Sequence, residues 1–437
     1  MNRQLLSAIL IGLLTVLLVG CGNSPSNQTQ GKTTTPADGK IHVTFWHVMG
    51  GPLGEALDAL IEEFHQQHPN IKIDDVNMGQ YTALSQKIMA SVQAGNPPVM
   101  AQMYETWTTQ LIESNALVPL QNYVDGENGY SAEELADFHT VLLENNRWDG
   151  KLWTFPFNKS VPALYYNMEM FQEKGIEAPP ATWDEFMGVS QQLTSPDADG
   201  DGKPDIHATA FVVSAWTFEC LLYQNGGRLL AEDGSEAVFN SPAGVEAMQF
   251  LKNLLDNQYA YLTTGYEHQN DFLARKLGMI QNTIVSIGFM ADGLTFPMGL
   301  APLPRNKKQA VILSGTNVGV FDNATPAQKE AAWTFIKWFS ETEQTARWAA
   351  QANYLAVRKS ALETDVMKQR FEEVPGLEAV YGQLDHTYFE PRTAAWFNGR
   401  RYLEDACELA LRGTQDIASA LNDAASKTNR EIEKANR

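Results

Sequence analysis

The stretch over residues 151–171 limits the possible folds more than any other part of the chain. It reads Lys-Leu-Trp-Thr-Phe-Pro-Phe-Asn-Lys-Ser-Val-Pro-Ala-Leu-Tyr-Tyr-Asn-Met-Glu-Met-Phe. Aromatic and β-branched residues give it the composition of a strand. Pro156 and Pro162 interrupt it, and neither has an N–H to give to a sheet. Between them Asn158, Lys159 and Ser160 form a polar island in an apolar run. A strand that stops and restarts suits a chain passing from one lobe to another, and Ser160 would then face the cleft between the lobes. A kinked edge strand satisfies the same composition.

The 437 residues exceed one compact core, so two domains are expected. A hydrophobic content of 44% with 10% aromatics marks a globular chain. The net charge of −20 argues against nucleic acid as a partner, because phosphate backbones need clustered cations. It leaves room for one local basic site.

The N-terminus speaks to location. Arg3 supplies a positive start, and residues 5–19 form an apolar run too short to span a membrane comfortably. The run ends Leu18-Val19-Gly20-Cys21, which resembles a bacterial lipobox. Residues 1–20 are therefore read as a lipoprotein signal peptide, Cys21 as the lipidated first residue, and residues 21–40 as a polar, flexible tether. Cys220 and Cys407 lie in apolar helical patterns and are expected as two buried thiols rather than a disulfide.

Residues 41–47 read as a strand, 53–67 as an amphipathic helix and 71–76 as a second strand, which predicts a parallel pair. Tyr81 opens the next helix, a strand over 99–104 follows, and Glu105 starts another helix. Tyr81 and Glu105 thus sit at element ends, where α/β sheets place ligands. Thr182 and Glu185 form a capping box. Ser241 is expected to cap a helix that starts with Pro242, and residues 210–216 are read as a strand. Leu277, Gly278, Met279 and Ile280 read as a strand before a second crossing at Ser286. The aromatic stripe of Trp333, Phe335, Ile336, Trp338 and Phe339 is core, and Arg400 and Arg401 precede a helix to residue 412.

Asp197, Asp199 and Asp201 alternate before Gly202, with Asp205 at the ninth position of a calcium-type loop. The twelfth position is Ala208, where a bidentate acid belongs. A structural calcium and a solvated acidic turn are both open; no other cofactor is expected. There is no Gly-x-Ser-x-Gly elbow, no phosphate-cradling Gly-rich loop with Lys, and no His-Glu-x-x-His pair. An enzyme is therefore not expected, although carboxylates for a glycosidase are plentiful. Ten Trp and fourteen Tyr favour a binding protein, since aromatic faces stack on sugar rings and glycerol chains.

The pattern Pro156-Phe157-Asn158-x-Ser160-x-Pro162-x-Leu164-Tyr165-Tyr166-Asn167 resembles the interlobe segment of the large sugar-type family of extracellular solute-binding proteins that serve ABC importers. Phe45-Trp46-His47, Ala94-Gly95-Asn96-Pro97-Pro98, Ser314-Gly315-Thr316-Asn317-Val318-Gly319-Val320 and Asn353-Tyr354-Leu355-Ala356-Val357-Arg358 are similar to further segments of that family. The resemblance implies an α/β, two-lobe periplasmic-binding-protein-like fold of type II with a ligand site in the cleft. The implied lobes are 41–152 with 284–330, and 153–283 with 331–437.

Within the family the chain is most similar to the glycerol-3-phosphate-binding branch. That likeness implies sn-glycerol 3-phosphate or a glycerophosphodiester as ligand, with a maltodextrin-type oligosaccharide as the alternative. By the same likeness Glu105, Tyr81 and Ser160 would hold the glycerol, and Arg400, Tyr354, Ser286 and Gly315 the phosphate. Trp216 falls where the family stacks a tryptophan. Lys159 stands where the pattern has a small hydroxyl residue, and an added cation would favour a phosphate. For Arg400 a salt bridge to Glu404, one helical turn on, is the competing reading. The implied partners are ABC permease subunits and, through Cys21, the outer face of the membrane; the chain would act as a monomer.

Overall fold

The computed structural model describes residues 38–198 and 200–436. The signal peptide, Cys21 and residues 22–37 of the tether lie outside the described residues, as does Asp199.

Eight strands carry the architecture: β1 Ile41–His47, β2 Ile71–Asn77, β3 Met100–Met103, β4 Phe155–Ser160, β5 Pro162–Asn167, β6 Met279–Thr283, β7 Met298–Ala301 and β8 Ser314–Val320. The first sheet has the order β2-β1-β3-β8-β4 and the second the order β6-β5-β7. β1 runs parallel to β2 and β3, as the strand–helix–strand pattern requires, and β8 returns antiparallel between β3 and β4.

Only Val161 separates β4, in the first sheet, from β5, in the second. The interrupted strand is a crossing between two lobes. Pro156 is tolerated because β4 is the edge of its sheet and the register shifts opposite it, between Thr316 and Asn317. Pro162 is tolerated because it opens β5. The other crossings meet the same point. Ser160 Oγ hydrogen-bonds Thr283 Oγ1 at the end of β6 (2.5 Å), and Ser314 Oγ donates to the Ser160 carbonyl (3.3 Å). Ser160 is buried there, tying the crossings together, and does not face the cleft.

The helix Pro326–Phe339 packs on β1, and the helix Thr342–Ala352 on the helix Pro52–Gln67. The reason is the aromatic stripe: Phe335 packs edge-on to Phe64 (5.1 Å between ring centres) and tilted against Phe45 (6.3 Å). Arg347 Nη2 adds a bond to Glu63 Oε1 (3.0 Å). Residues 326–352 therefore belong with the first sheet, whereas the sequence reading assigns everything from 331 onward to the second lobe.

Around the second sheet stand the helices Trp183–Leu193, Ala215–Gln224 and Pro242–Asp256, and the final pair Ala394–Leu411 and Ile417–Ala435. Thr182 and Glu185 close their capping box as expected. Ser241 precedes Pro242 without making a capping bond. The strand expected over 210–216 ends at Val212, because Ser214 accepts the Trp216 N–H and starts a helix. Ser286 lies in a helical turn, Ser286–Met290, after the second crossing. Cys220 and Cys407 are free and buried. In the acidic loop Asp197 accepts the N–H groups of Gly200 (2.6 Å) and Gly202 (2.8 Å), and Asp205 that of Ala198 (3.2 Å). These bonds turn both carboxylates onto the loop's own backbone.

Candidate functional site

A cavity of about 570 Å³ lies between the lobes, a size ordinary for small-molecule sites. The first lobe contributes Tyr104, Glu105 and Trp107 from the start of the helix Glu105–Glu113. The second contributes Trp216, the loop residues Phe389 and Glu390, and one face of the helix Ala394–Leu411. Gly315, at the crossing, closes one side.

Glu105 anchors the first-lobe end. Its Oε1 accepts from Lys159 Nζ (2.9 Å) and from Asn317 Nδ2 (3.2 Å). Lys159 is fully buried, and its ammonium also donates to Asn145 Oδ1 (2.9 Å) and to the Gly315 carbonyl (3.3 Å). Burial lowers its pKa, and the neighbouring Glu105 carboxylate opposes that shift. Lys159 therefore gives the cavity no free cation, contrary to the expectation that it would attract a phosphate.

Arg400 anchors the opposite end. Its Nε donates to Glu390 Oε1 (3.0 Å) and its Nη1 to Glu404 Oε2 (3.4 Å). Glu390 is oriented in turn by the Trp396 indole N–H (2.9 Å). A guanidinium has five N–H donors, and these two bonds leave three unused. Behind this pair sits Glu219, fully buried, with no hydrogen-bond partner on either oxygen among the described residues. Burial, and then the negative field of Glu390, push its pKa well above the usual range.

Around the cavity Glu105, Glu390 and Glu404 are thus matched by Lys159, Arg400 and Arg401. Rings cover much of the remaining wall. Trp216 has its N–H tied to the Ile312 carbonyl (2.9 Å), so it offers a face and not a donor. Phe397 is about half exposed beside Arg400.

Four of the expected ligand residues, Glu105, Trp216, Gly315 and Arg400, line this one cavity. Tyr81 and Tyr354 lie beyond Tyr104, whose ring is 5.0 Å from that of Tyr81. The Tyr81 hydroxyl accepts from Asn158 Nδ2 (3.1 Å), and Tyr354 stacks on Trp348 (5.5 Å). Ser160 and Ser286 are buried near the crossings and do not reach the cavity wall. Arg400 lies within a helix rather than before one. It makes the salt bridge to Glu404 and also lines the cavity. Phe397, Arg400, Arg401 and Glu404 have the i, i+3, i+4, i+7 spacing of one helical face. That signal becomes visible only when the helix is started at Ala394.

A family model described as bacterial extracellular solute-binding protein matches residues 59–375. The sn-glycerol-3-phosphate-binding periplasmic protein UgpB of Pectobacterium atrosepticum is 25% identical over 416 residues, covering 90% of this chain and 91% of the relative. The cyclic alpha-maltosyl-1,6-maltose binding protein of Arthrobacter globiformis superposes with a TM-score of 0.77 at 25% identity, covering 91% of this chain and 100% of that one. UgpB of Mycobacterium tuberculosis, solved in complex with glycerophosphocholine, gives a TM-score of 0.79 at 21% identity with the same coverages, 91% and 100%. Two lobes, a cleft walled by rings and charged side chains, and a match across most of the chain agree. The chain belongs to the bacterial extracellular solute-binding proteins: it binds a small molecule outside the cytoplasm and is not an enzyme.

Proposed function

We propose that this chain is the ligand-capturing subunit of an ABC importer, and that its ligand is a glycerophosphodiester. What carries the reading is the pair of unlike polar ends in one cavity. Arg400 has three donors left for phosphate oxygens, and Glu105 has one oxygen left for a hydroxyl. Matched charges around the cavity suit a ligand with little net charge. sn-Glycerol 3-phosphate shares the glycerol and phosphate groups, but as a monoester it carries extra charge that has to compete with Glu390 and Glu404 for Arg400. A neutral oligosaccharide is the second reading, favoured by the ring faces of Trp107, Trp216, Phe389 and Phe397. The closed form would be handed to permease subunits, and a lipid on Cys21 would keep the receptor at the membrane surface.

Calorimetric titration with glycerophosphocholine, sn-glycerol 3-phosphate and maltotriose tests the ligand. Glycerophosphocholine is expected to bind most tightly. Arg400→Gln is expected to weaken it by about 2 kcal/mol, roughly thirtyfold. Heat from maltotriose alone, indifferent to Arg400→Gln, would overturn the phosphodiester in favour of the sugar. For the anchor, Cys21→Ala is expected to move the protein from the membrane pellet to the soluble fraction; an unchanged distribution removes that part of the proposal.

A further inference from the structure

Among the described residues at the site, Lys159 is a cation sealed from any ligand. Its side chain is fully buried, and each of its three neighbours within hydrogen-bond distance offers it an acceptor: Glu105 Oε1, Asn145 Oδ1 and the Gly315 carbonyl. An ammonium has three donors and no acceptor, so the cage fits the charged form. A neutral amine would aim a lone pair at oxygens. Asn317 Nδ2 reinforces the cage by donating to Glu105 Oε1 and to Asn145 Oδ1 (3.3 Å).

Both protein donors fall on one oxygen of Glu105. Oε1 is turned inward and occupied, while Oε2 makes no hydrogen bond among the described residues and stays open to the cavity. We propose that Lys159 is a positioning residue that fixes the Glu105 side chain with Oε1 turned inward and Oε2 open, so that this end of the cleft takes a neutral hydrogen-bond donor such as a ligand hydroxyl. The remaining titratable groups that face Glu105 are the Arg392 guanidinium and the Tyr104 phenol. Arg392 is engaged by the Glu144 and Arg147 carbonyls.

The inference rests on the cleft reading only in taking Glu105 as a ligand contact, and a hydroxyl is present on both a glycerophosphodiester and a sugar. Lys159→Met removes the charge at similar length. Glycerophosphocholine and maltotriose are titrated against wild type, Lys159→Met, Glu105→Gln and the double variant Lys159→Met/Glu105→Gln. In Lys159→Met the inward oxygen of Glu105 loses its ammonium partner and the carboxylate is free to turn, so binding is expected to weaken about tenfold. Because Lys159 acts through Glu105, the double variant is expected to bind no more weakly than Glu105→Gln alone. It also removes both charges of the pair, so it folds even if the single variant does not.

Losses that add in the double variant, or no loss in Lys159→Met, overturn the proposal. Failure of glycerophosphocholine to bind wild type counts against the ligand reading alone.

Discussion

Gly315→Ala is expected to lower stability by about 3–5 kcal/mol and to abolish ligand binding. Gly315 has φ +86°, and a Cβ placed there would lie 2.0 Å from the Asn158 carbonyl oxygen and 2.9 Å from its carbon. Those atoms are backbone of β4, the strand that pairs with Gly315 in β8, so no side-chain rotation relieves the contact. The two strands have to part at the place where the lobes join. The Gly315 carbonyl is also one wall of the Lys159 cage, and Gly315 itself lines the cavity. Gly79→Ala is the control. Gly79 has φ +85°, and a methyl at that position would meet nothing within 4 Å, so the variant tests backbone strain alone, about 1 kcal/mol. Urea melts of both variants decide the matter: equal losses would mean that the approach of β4 to β8 carries no energetic weight.

The second large effect is on pH dependence. Glu219 is sealed among Cys220, Cys407, Glu390 and Arg400, and burial raises its pKa well above the ordinary 4.5. In the unfolded chain the same carboxyl ionises near that ordinary value. Between the two values the folded protein holds one proton more than the unfolded chain. Stability from this group is complete below about pH 4.5 and falls by about 1.4 kcal/mol per pH unit above it, until the folded carboxyl also ionises. Glu219→Gln removes the titration. Its stability is expected to diverge from that of wild type as pH rises, with the largest advantage on the alkaline side and none below about pH 4.5. Denaturation midpoints of the two proteins across the pH range test this, and parallel curves would show that Glu219 does not carry the proton.

Much of the frame is legible along the chain because its causes are local. Pro156 and Pro162 cannot donate to a ladder wherever they stand, so the break between β4 and β5 shows in the sequence. Thr182 with Glu185 marks a helix start by the geometry of one turn. Ser241 shows the limit of such signals, since a residue of the right type in the right place makes no cap. The start of the helix at Ala394 carries no capping side chain, and Thr393 makes no cap bond either. From the sequence, Arg400 consequently reads as lying ahead of the helix, and the face it shares with Phe397, Arg401 and Glu404 stays hidden.

The site itself divides along the same line. Residue types and family likeness point to Glu105, Trp216, Gly315 and Arg400, and these four meet in one cavity. The likeness alone does not decide the roles of Ser160 and Lys159. Both alternate along an edge strand, and which neighbour each meets depends on how β8 and the end of β6 come alongside. Glu219 gives one hint, an acid inside the apolar run Phe218-Glu219-Cys220-Leu221. Nothing in that run tells that Glu390 and Arg400 will stand beside it.

By itself the amino-acid order determined where the chain bends, which faces are apolar, and that the strand around Pro156 and Pro162 is interrupted, because proline, caps and hydrophobic period act within a few residues. Only the tertiary structure decided which charges are spent. Lys159 is cancelled by a glutamate 54 positions away and by a carbonyl 156 positions away, while Arg400 keeps donors free beside Glu390. The energy of a buried charge depends on the few atoms within hydrogen-bond reach, and those are chosen by packing rather than by order along the chain.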